Sequence, residues 1–403
     1  MWSGRIGPGH RAQTVMIARL TVAGLLALAL VLSGCLGPVS LHQAVLGYDD
    51  TVSRLEREML LINIGRLRHG LPVHFTLATS IAATFEYKTN AAILGPVSDV
   101  GLSVGVSAAE NPTVTIVPIQ GKQFTERVLT PLEDTAFEFA VFQGVPIDMA
   151  MRLVADGIEV QTPEGTFARF ILNWPTHPAE YEEFRRIALH LAWLNATRRL
   201  FVGRLSFLAT TQARLSTPPT ATEVQQAFEK DFRWRPVAKD GVYALERRLT
   251  GRVVITNYDP RTLSDAERQG LNTRAGANPG NFVFVDIHPG HPGGDLPLCG
   301  VLKLRSLNRI LSFVAADDGG SSEYDVSKDP RTGDSGLNPR RALGIEVTAQ
   351  APPGMLPHAR YGGRYYAVAD TPWDLQAFSL LYQAFQTTVT DVSGVGVPIT
   401  ISK

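Results

Sequence analysis

Cysteine is almost absent from this chain: 403 residues contain only two, Cys35 and Cys299. A framework of several disulfides is therefore excluded as a source of stability. Charge of one sign is not in excess either, because 38 basic residues balance 38 acidic ones. Without a long basic segment, the sequence gives no indication of nucleic-acid binding. The apolar content of 44% is ordinary for a globular protein, so the fold must rest on its hydrophobic core.

Long hydrophobic runs are missing as well. The apolar run Leu20–Leu32 is shorter than the about 20 residues that a membrane-spanning helix needs. It has the length of a signal-peptide core, and three arginines precede it. Residues 1–34 are therefore expected to be a signal peptide, with translation starting at Met1 or at Met16.

Cys35 follows this run in the tetrad Leu32-Ser33-Gly34-Cys35. The tetrad resembles a bacterial lipobox, in which the thiol receives a diacylglyceryl group and cleavage makes the cysteine the first mature residue. The alternative is a secretory leader that happens to contain a cysteine. The resemblance implies a lipid anchor at Cys35 and a lipidated tether over residues 35–48. Because Leu36 follows instead of aspartate, it also implies the periplasmic face of the outer membrane.

Removing 34 of 403 residues leaves 369, which exceeds the roughly 250–300 residues at which single cores stop growing. We expect two subdomains, residues 49–214 and 222–403, joined by the Pro- and Thr-rich segment Leu215–Ala221. Hydrophobic periodicity predicts an α+β fold of antiparallel hairpins with several amphipathic helices. The clearest helices are predicted at Asp49–His69, at Pro178–Arg198, from Ser264 to Ala275 and from Pro372 onwards.

A long β-hairpin is predicted within residues 73–119. Val73–Lys88 alternates between apolar and small or polar residues, and Val100–Ser107 does the same after a turn. A membrane-spanning strand needs about 9–11 residues, a length that Val73–Lys88 exceeds. Either the hairpin is a soluble sheet with one side on the core, or several copies pool their hairpins in a membrane pore.

Three further segments carry predictions. Val242–Leu249 and Arg252–Asn257 predict two strands around Thr250-Gly251, and Val301–Val314 predicts a helix. Arg305, near the start of that helix, is expected either to bind an anion or, more usually, to form a structural salt link. Asp317–Arg341 is rich in glycine and aspartate, so it is expected to be an exposed or disordered loop.

The densest group of metal-capable side chains is Asp286, His288, His291 and Asp295, which follows a predicted strand. Zinc enzymes use three such ligands and one open position, so this group would make the chain a metal-dependent hydrolase. The alternative, a solvated turn rich in proline and glycine, is preferred because no outer layer of supporting residues is recognisable. No metal or other cofactor is therefore expected.

Segments 60–90, 129–146, 302–314 and 361–385 resemble a set of uncharacterised proteobacterial envelope lipoproteins. The resemblance covers most of the mature chain and implies a compartment without an activity. Because no nucleophile, base and orienting group occur together, we expect no enzyme. We expect a lipid-anchored outer-membrane protein that contacts other envelope proteins or copies of itself in an assembly. A subunit of an oligomeric pore or export channel and a metal-dependent hydrolase are the alternatives.

Overall fold

The computed structural model describes residue 42 and residues 45–94, 101–162, 165–237, 241–316, 322–389 and 399–402. These residues form helices and mixed sheets, which confirms the predicted α+β class. The chain forms two compact units, residues 1–56 and residues 57–403. Helix α1 (45–68) begins in the first unit and ends in the second, and the other described helices and strands belong to the second.

The remaining elements follow in chain order. The strands are β1 (Thr76–Leu94), β2 (Gly101–Pro118), β3 (Ala155–Gln161), β4 (Phe167–Leu172), β5 (Phe201–Leu215), β6 (Phe232–Pro236), β7 (Tyr243–Thr256), β8 (Phe282–Ile287), β9 (Leu298–Leu304), β10 (Ile345–Thr348), β11 (His358–Tyr361), β12 (Arg364–Val368) and β13 (Ile399–Ser402). The helices are α2 (Gly121–Phe124, continued by a π-helical turn at Thr125–Leu129), α3 (Asp134–Phe142), α4 (Ile147–Val154), α5 (Pro178–Ala196), α6 (Ala221–Glu229), α7 (Asp265–Gly276), α8 (Leu307–Ala315) and α9 (Pro372–Val389). The four clearest helix predictions, which correspond to α1, α5, α7 and α9, are confirmed.

Seven strands form the central sheet, in the order β4-β3-β9-β8-β7-β5, with β6 paired to β7 outside this path. Neighbouring strands are antiparallel, except that β7 and β8 run parallel. Residues 215–221, predicted to link two subdomains, connect β5 to α6. Because strands from both sides of this segment lie in the sheet, the sheet is common to the two predicted subdomains.

Strand β7 is continuous where the sequence predicted two strands and a turn at Thr250-Gly251. Gly251 is required for a different reason, since a Cβ atom there would lie 2.2 Å from Oδ1 of Asn272 in α7. The same Oδ1 accepts a hydrogen bond from the Arg252 backbone N–H at 2.8 Å. The glycine therefore permits the close approach of a helix to the sheet.

The helix predicted at Val301–Val314 is wrong in its first part. Residues Leu298–Leu304 form β9, between β3 and β8 in the middle of the sheet, and α8 begins only at Leu307. An apolar run without alternation fits a strand buried on both faces as well as it fits a helix. Close strand packing explains Gly300, where a Cβ atom would lie 2.2 Å from the Glu159 carbonyl oxygen.

Both faces of the central sheet are covered. The main hydrophobic core contains Val253, Val283 and Val285 from the sheet, together with residues of helices α4, α5, α8 and α9. A smaller core on the other face joins Val254 and Phe284 to residues of α7. Alternate residues of β7 and β8 thus enter different cores, which explains the apolar sequences of these strands.

A small sheet in the order β10-β12-β11 lies beside α9. The Gly344 N–H donates to Oδ1 of Asp374 at 2.7 Å, and Nε1 of Trp373 donates to the Arg341 and Ala342 carbonyl oxygens at 3.1 Å. Both acceptor and donor side chains lie in the first turn of α9, so that turn holds the chain where it enters β10.

Candidate interaction site

The hairpin of β1 and β2 is the candidate interaction site. The strands pair antiparallel from Thr76 opposite Pro118 to Leu94 opposite Gly101, with one register shift between Ala78 and Ser80. The predicted hairpin is confirmed, and its second strand is longer than the alternating run Val100–Ser107, because β2 continues to Pro118. At about 3.4 Å per residue, strands of this length extend roughly 60 Å.

The register places apolar residue types opposite one another. Such pairs are Ile93 with Leu102, Ala91 with Val104 and Tyr87 with Ala108. The pairs between them join small or polar types, namely Ala92 with Ser103, Asn90 with Gly105 and Lys88 with Ser107. Since successive residues of a strand alternate between its faces, the register gives one predominantly apolar side and one predominantly small or polar side.

In the described part of the chain, pairing beyond the hairpin is confined to its base. Strand β13 pairs with β2 only at Thr113–Ile116. Among the described residues, no strand pairs with the outer edge of β1 or with β2 at residues 101–112. A strand edge without a partner exposes backbone donors and acceptors to which another chain can pair. Since isolated two-stranded hairpins are marginally stable, this one fits a role in which a partner completes it.

The base of the hairpin is anchored in the core. Asn63 of α1 accepts a hydrogen bond from the His74 N–H at 2.8 Å and donates one to the His74 carbonyl oxygen at 2.9 Å. Phe75 is fully buried, with its ring centroid 5.5 Å from that of Phe385 in α9. The Ile119 N–H donates to the Phe75 carbonyl oxygen at 2.9 Å. The ribbon therefore extends from a fixed base.

The predicted lipid anchor, Cys35, and the signal peptide at 1–34 lie outside the described residues. In the part of the chain that the structure describes, no helix has the length and apolar character to cross a membrane.

The structure does not bring Asp286, His288, His291 and Asp295 together as a metal site. Asp286 accepts a hydrogen bond from the Tyr258 hydroxyl at 2.8 Å and one from Nη2 of Arg274 at 3.3 Å. Within the described ranges, no group of three or more His, Cys, Asp or Glu side chains is arranged to hold a metal ion. Burial, the negative charge of Asp286 and the hydrogen bond to its carboxylate raise the pKa of Tyr258.

Of the two roles expected for Arg305, the structure shows the structural one, with Nε 3.7 Å from Oδ1 of Asp156. This fully buried guanidinium donates to the carbonyl oxygens of Arg152, Leu153 and Asn173 at 2.6–3.1 Å. It also stacks over the ring of Phe313, with its central carbon 3.9 Å from the ring centroid. Burial lowers the pKa of Arg305 to about 9. The carbonyl oxygens of Arg152, Leu153 and Asn173 stabilise the positive charge of the buried guanidinium.

A cluster of buried polar residues lies between α4, α5 and the segment before β10. We call it the buried arginine network. Its buried members are Arg152, Arg185, Tyr181 and Glu323, and the exposed Asn338 accepts a hydrogen bond from Arg185. Arg152 donates to Glu323 at 2.9 Å, and the Tyr181 hydroxyl donates to the same carboxylate oxygen at 2.9 Å. The other oxygen of Glu323 accepts from the Ala342 N–H at 2.6 Å.

The predicted loop at Asp317–Arg341 is confirmed for residues 322–341, many of which are exposed, but this network holds part of the loop in the protein interior. In residues 322–341, Glu323, Val326 and Thr332 are buried, and Arg152 also donates to the Pro339 and Arg340 carbonyl oxygens. The segment lacks regular secondary structure but is held by long-range hydrogen bonds. The contact between Glu323 and Arg152 could not be predicted, because a Gly- and Asp-rich composition does not show which carboxylate a distant arginine binds.

Two carboxyl groups near Arg152 have pKa values shifted in opposite directions. Several donors around Glu323, Arg152 first among them, outweigh burial and lower its pKa. Asp148, buried one helical turn before Arg152, lies 3.6 Å from Nη1, too far for a hydrogen bond, and neither of its oxygen atoms has a donor. Burial therefore raises the pKa of Asp148. The buried arginine network thus contains the ion pair of Arg152 with Glu323. Beside it lies a second carboxyl group, that of Asp148, whose burial disfavours its ionised form.

Comparison with known proteins gave no relatives: no family model, no curated protein and no solved structure matches the chain.

Proposed function

We propose that this protein is a lipid-anchored component of an envelope assembly, and that the β1–β2 hairpin is the element through which it contacts its partners. The observation that carries the proposal is the length of the ribbon beyond β13. It runs from the pair Ala83–Pro112 to the pair Leu94–Gly101 without a third strand among the described residues. The fixed base and the unpartnered edges fit an element that is completed by another protein chain.

The partner that we propose first is a second copy of this chain. Equivalent hairpins carry the same register and the same apolar side, so one hairpin can pair edge to edge with the next and continue both sides of the ribbon. Such pairing satisfies backbone groups and buries apolar residue types at once. The proposed activity is therefore association, without a chemical step.

A shortened hairpin tests this proposal. Residues 83–112 are replaced by Asn-Gly, a dipeptide that suits a two-residue turn, so that Ala82 and Thr113 close the hairpin. This variant keeps the residues that pair with β13. We expect the detergent-extracted wild type to be larger than one chain by size-exclusion chromatography with light scattering, and the shortened variant to be monomeric.

The control is a hairpin of unchanged length in which Ile81, Phe85 and Ile93 are each replaced by threonine, which keeps strand propensity but removes apolar area. Near-wild-type melting temperatures for both variants show that the rest of the fold is intact. If the shortened variant keeps the wild-type size and the same co-purifying proteins, the hairpin is not the contact element.

The anchor is tested separately. The lipobox resemblance at Cys35 supports lipidation, so cells labelled with a clickable palmitate should label the wild type and not Cys35→Ala. The Cys299→Ala variant is the matched control, because it removes the other cysteine and should keep the label. Equal labelling of wild type and Cys35→Ala would exclude a lipid anchor at this residue.

A pore subunit is the second candidate function, and the register favours it. The paired strands exceed the about 9–11 residues that a membrane strand needs, and the two sides of the ribbon differ in polarity. A hairpin in lipid must have its edges paired by other copies, so this function includes the association proposed above.

Two measurements separate a pore from a soluble assembly. Purified wild type should release a small dye from liposomes, and the shortened hairpin should not. A single cysteine at Ala92, in a variant that also carries Cys299→Ala, should react with an impermeant maleimide on intact cells if the turn reaches the outside. Oligomers that release no dye and label only after lysis would support the assembly without a pore.

A further inference from the structure

The open edge of β10 borders a cavity of about 740 Å³, which we call the edge cavity. All four residues of β10, Ile345 to Thr348, line it. Successive strand residues point to opposite faces of a sheet, so a cavity that touches all four includes the backbone of β10 in its wall, beside Arg364 and Tyr366 of β12. The volume is within the range of ordinary ligand sites.

The backbone of β10 is available at this edge. The Ala369 N–H donates to the Gly344 carbonyl oxygen, so the pairs that exchange hydrogen bonds with β12 are those of residues 344, 346 and 348. By the same alternation, the N–H and C=O groups of Ile345 and Val347 point away from β12. Among the described residues, no strand and no other backbone group pairs with that side of β10.

The wall of the edge cavity is positively charged. Arg68, Arg341 and Arg364 line it, and Glu346 is the acidic residue among its lining residues. Neither Arg68 nor Arg364 forms an ion pair with any described residue. Arg68 packs over the ring of Tyr366, and its Nε and Nη2 atoms are covered without a hydrogen-bond acceptor in the described part of the chain. In the other arginines that have a covered nitrogen without an acceptor, that nitrogen is Nε alone, so Arg68 differs from them in also lacking one at Nη2.

We propose that the edge cavity binds an extended acidic peptide segment, which adds as a strand to β10 and places its carboxylates near Arg68 and Arg364. The backbone of Ile345 and Val347 supplies donors and acceptors for the strand, and the arginines select acidic side chains. Covered guanidinium donors and an unpaired strand edge both destabilise the empty site, and one ligand relieves both. This site is distinct from the β1–β2 hairpin and does not depend on the function proposed for it.

The test uses the full chain in detergent and fluorescein-labelled peptides, followed by fluorescence anisotropy. The probe is Glu-Val-Glu-Val-Glu. Its controls are Lys-Val-Lys-Val-Lys and the acidic peptide with N-methyl groups on alternate residues, which keeps the charge and removes strand pairing. We expect the acidic peptide to bind at least tenfold more tightly than either control, a difference of about 1.4 kcal/mol.

Two variants locate the site. Val347→Pro removes an N–H on the open edge and leaves the hydrogen bonds of residues 346 and 348 to β12, so proline is compatible with the strand. Arg364→Gln removes an exposed charge at the cavity. Each is expected to weaken binding about tenfold, whereas Arg360→Gln, on β11, should leave it unchanged. Unchanged circular dichroism and melting temperature show that the fold is retained.

The opposite results overturn the proposal. Equal binding of the N-methylated peptide shows that no strand is added, and equal binding of the lysine peptide shows that the arginines do not select acidic ligands. Displacement of the probe by millimolar citrate or inorganic phosphate with no effect of Val347→Pro shows a general anion site only. Loss of binding in the edge-cavity variants with oligomer size unchanged supports this site whatever the outcome at the hairpin.

Discussion

The buried arginine network and the edge cavity both gather arginines around the segment that enters β10, but they treat the guanidinium groups differently. In the network, both Nη atoms of Arg152 and both of Arg185 have acceptors, and Glu323 supplies a carboxylate at 2.9 Å. In the edge cavity, Nη2 of Arg68 has none among the described residues. The arginines that stabilise the fold therefore have hydrogen-bond acceptors at their Nη atoms, whereas the arginine at the cavity wall lacks one at Nη2 among the described residues. This is the expected difference between a structural site and a binding site.

The largest effect expected from this comparison is at Glu323. Glu323→Gln removes the negative charge while Arg152 stays buried, and its amide must turn an N–H₂ group toward some of the donors that the carboxylate accepts from. Breaking a buried ion pair on one side costs about 3–5 kcal/mol in the free energy of unfolding. Urea denaturation followed by tryptophan fluorescence measures this loss, and a change below about 1 kcal/mol would show that the network is not a structural lock.

The decrease in the free energy of unfolding at acid pH depends on the same residue, Glu323. Because the folded protein lowers the pKa of Glu323 below its usual 4.5, the stabilisation is present above pH 4.5 and is lost as the pH falls through the lower folded value. Glu323→Gln should therefore lose less stability than the wild type between pH 5 and pH 3. Parallel curves for the two proteins over this range would contradict the assignment.

A smaller effect is expected at His190, which is buried between Thr332 and the Gly293 carbonyl oxygen. Burial lowers the pKa of His190, although Gly293 and Asp329 oppose the shift. The unfolded chain therefore binds the proton more readily, and the free energy of unfolding should fall as the pH drops below about 6.5, by at most about 1.4 kcal/mol per pH unit. In His190→Gln, the profile between pH 7.5 and 5.5 should be flatter. An unchanged slope would contradict the prediction.

Asp148→Asn should change stability by less than about 1 kcal/mol at pH 7. Its carboxylate receives no hydrogen bond, and burial raises its pKa, so the charge contributes much less than that of Glu323. The measurement is the same urea titration, with Glu323→Gln beside it. A loss as large as that of Glu323→Gln would show that the 3.6 Å contact to Arg152 is a full partner in the network.

The smallest effect on stability is expected in the edge cavity. Arg364 is exposed and has no ion pair among the described residues, so Arg364→Gln should alter the free energy of unfolding by no more than about 0.5 kcal/mol. The acidic-peptide affinity should nevertheless fall, as argued above. A clear loss of stability in this variant would mean that the two arginine clusters do not differ in role.

The sequence predicted elements whose signals are local. Helix α7 has such a signal, because Ser264 accepts from the Glu267 N–H and Glu267 accepts from the Ser264 N–H, the reciprocal cap that the spacing of serine and glutamate predicts. Hairpin β1–β2 has another in its alternation. Strand β5 was missed. Strand β9 was taken for a helix, because burial on both faces removes the alternation on which strand prediction depends.

The candidate sites were predictable to different degrees. The hairpin was recognised from residues 73–107 alone, although the unpaired edges required the topology. The buried arginine network and the edge cavity were not recognised, because each combines residues that are far apart in sequence. Arg68 and Arg364 lie in α1 and β12, and nothing near either residue in the sequence indicates the other. Asp286 was singled out because it is near two histidines, but its partners are Tyr258 and Arg274.

Arg152 and Glu323 are 171 positions apart in the sequence, and this separation affects how the chain folds. Helix α4 and strand β3 are synthesised long before β9 and residue 323, so their final partners do not yet exist when they emerge. Contacts between residues so far apart in sequence slow folding, and an incomplete sheet exposes strand edges until its remaining strands are in place. The central sheet cannot be completed until β7, β8 and β9 have been synthesised, so the first half of the chain cannot reach its final structure alone.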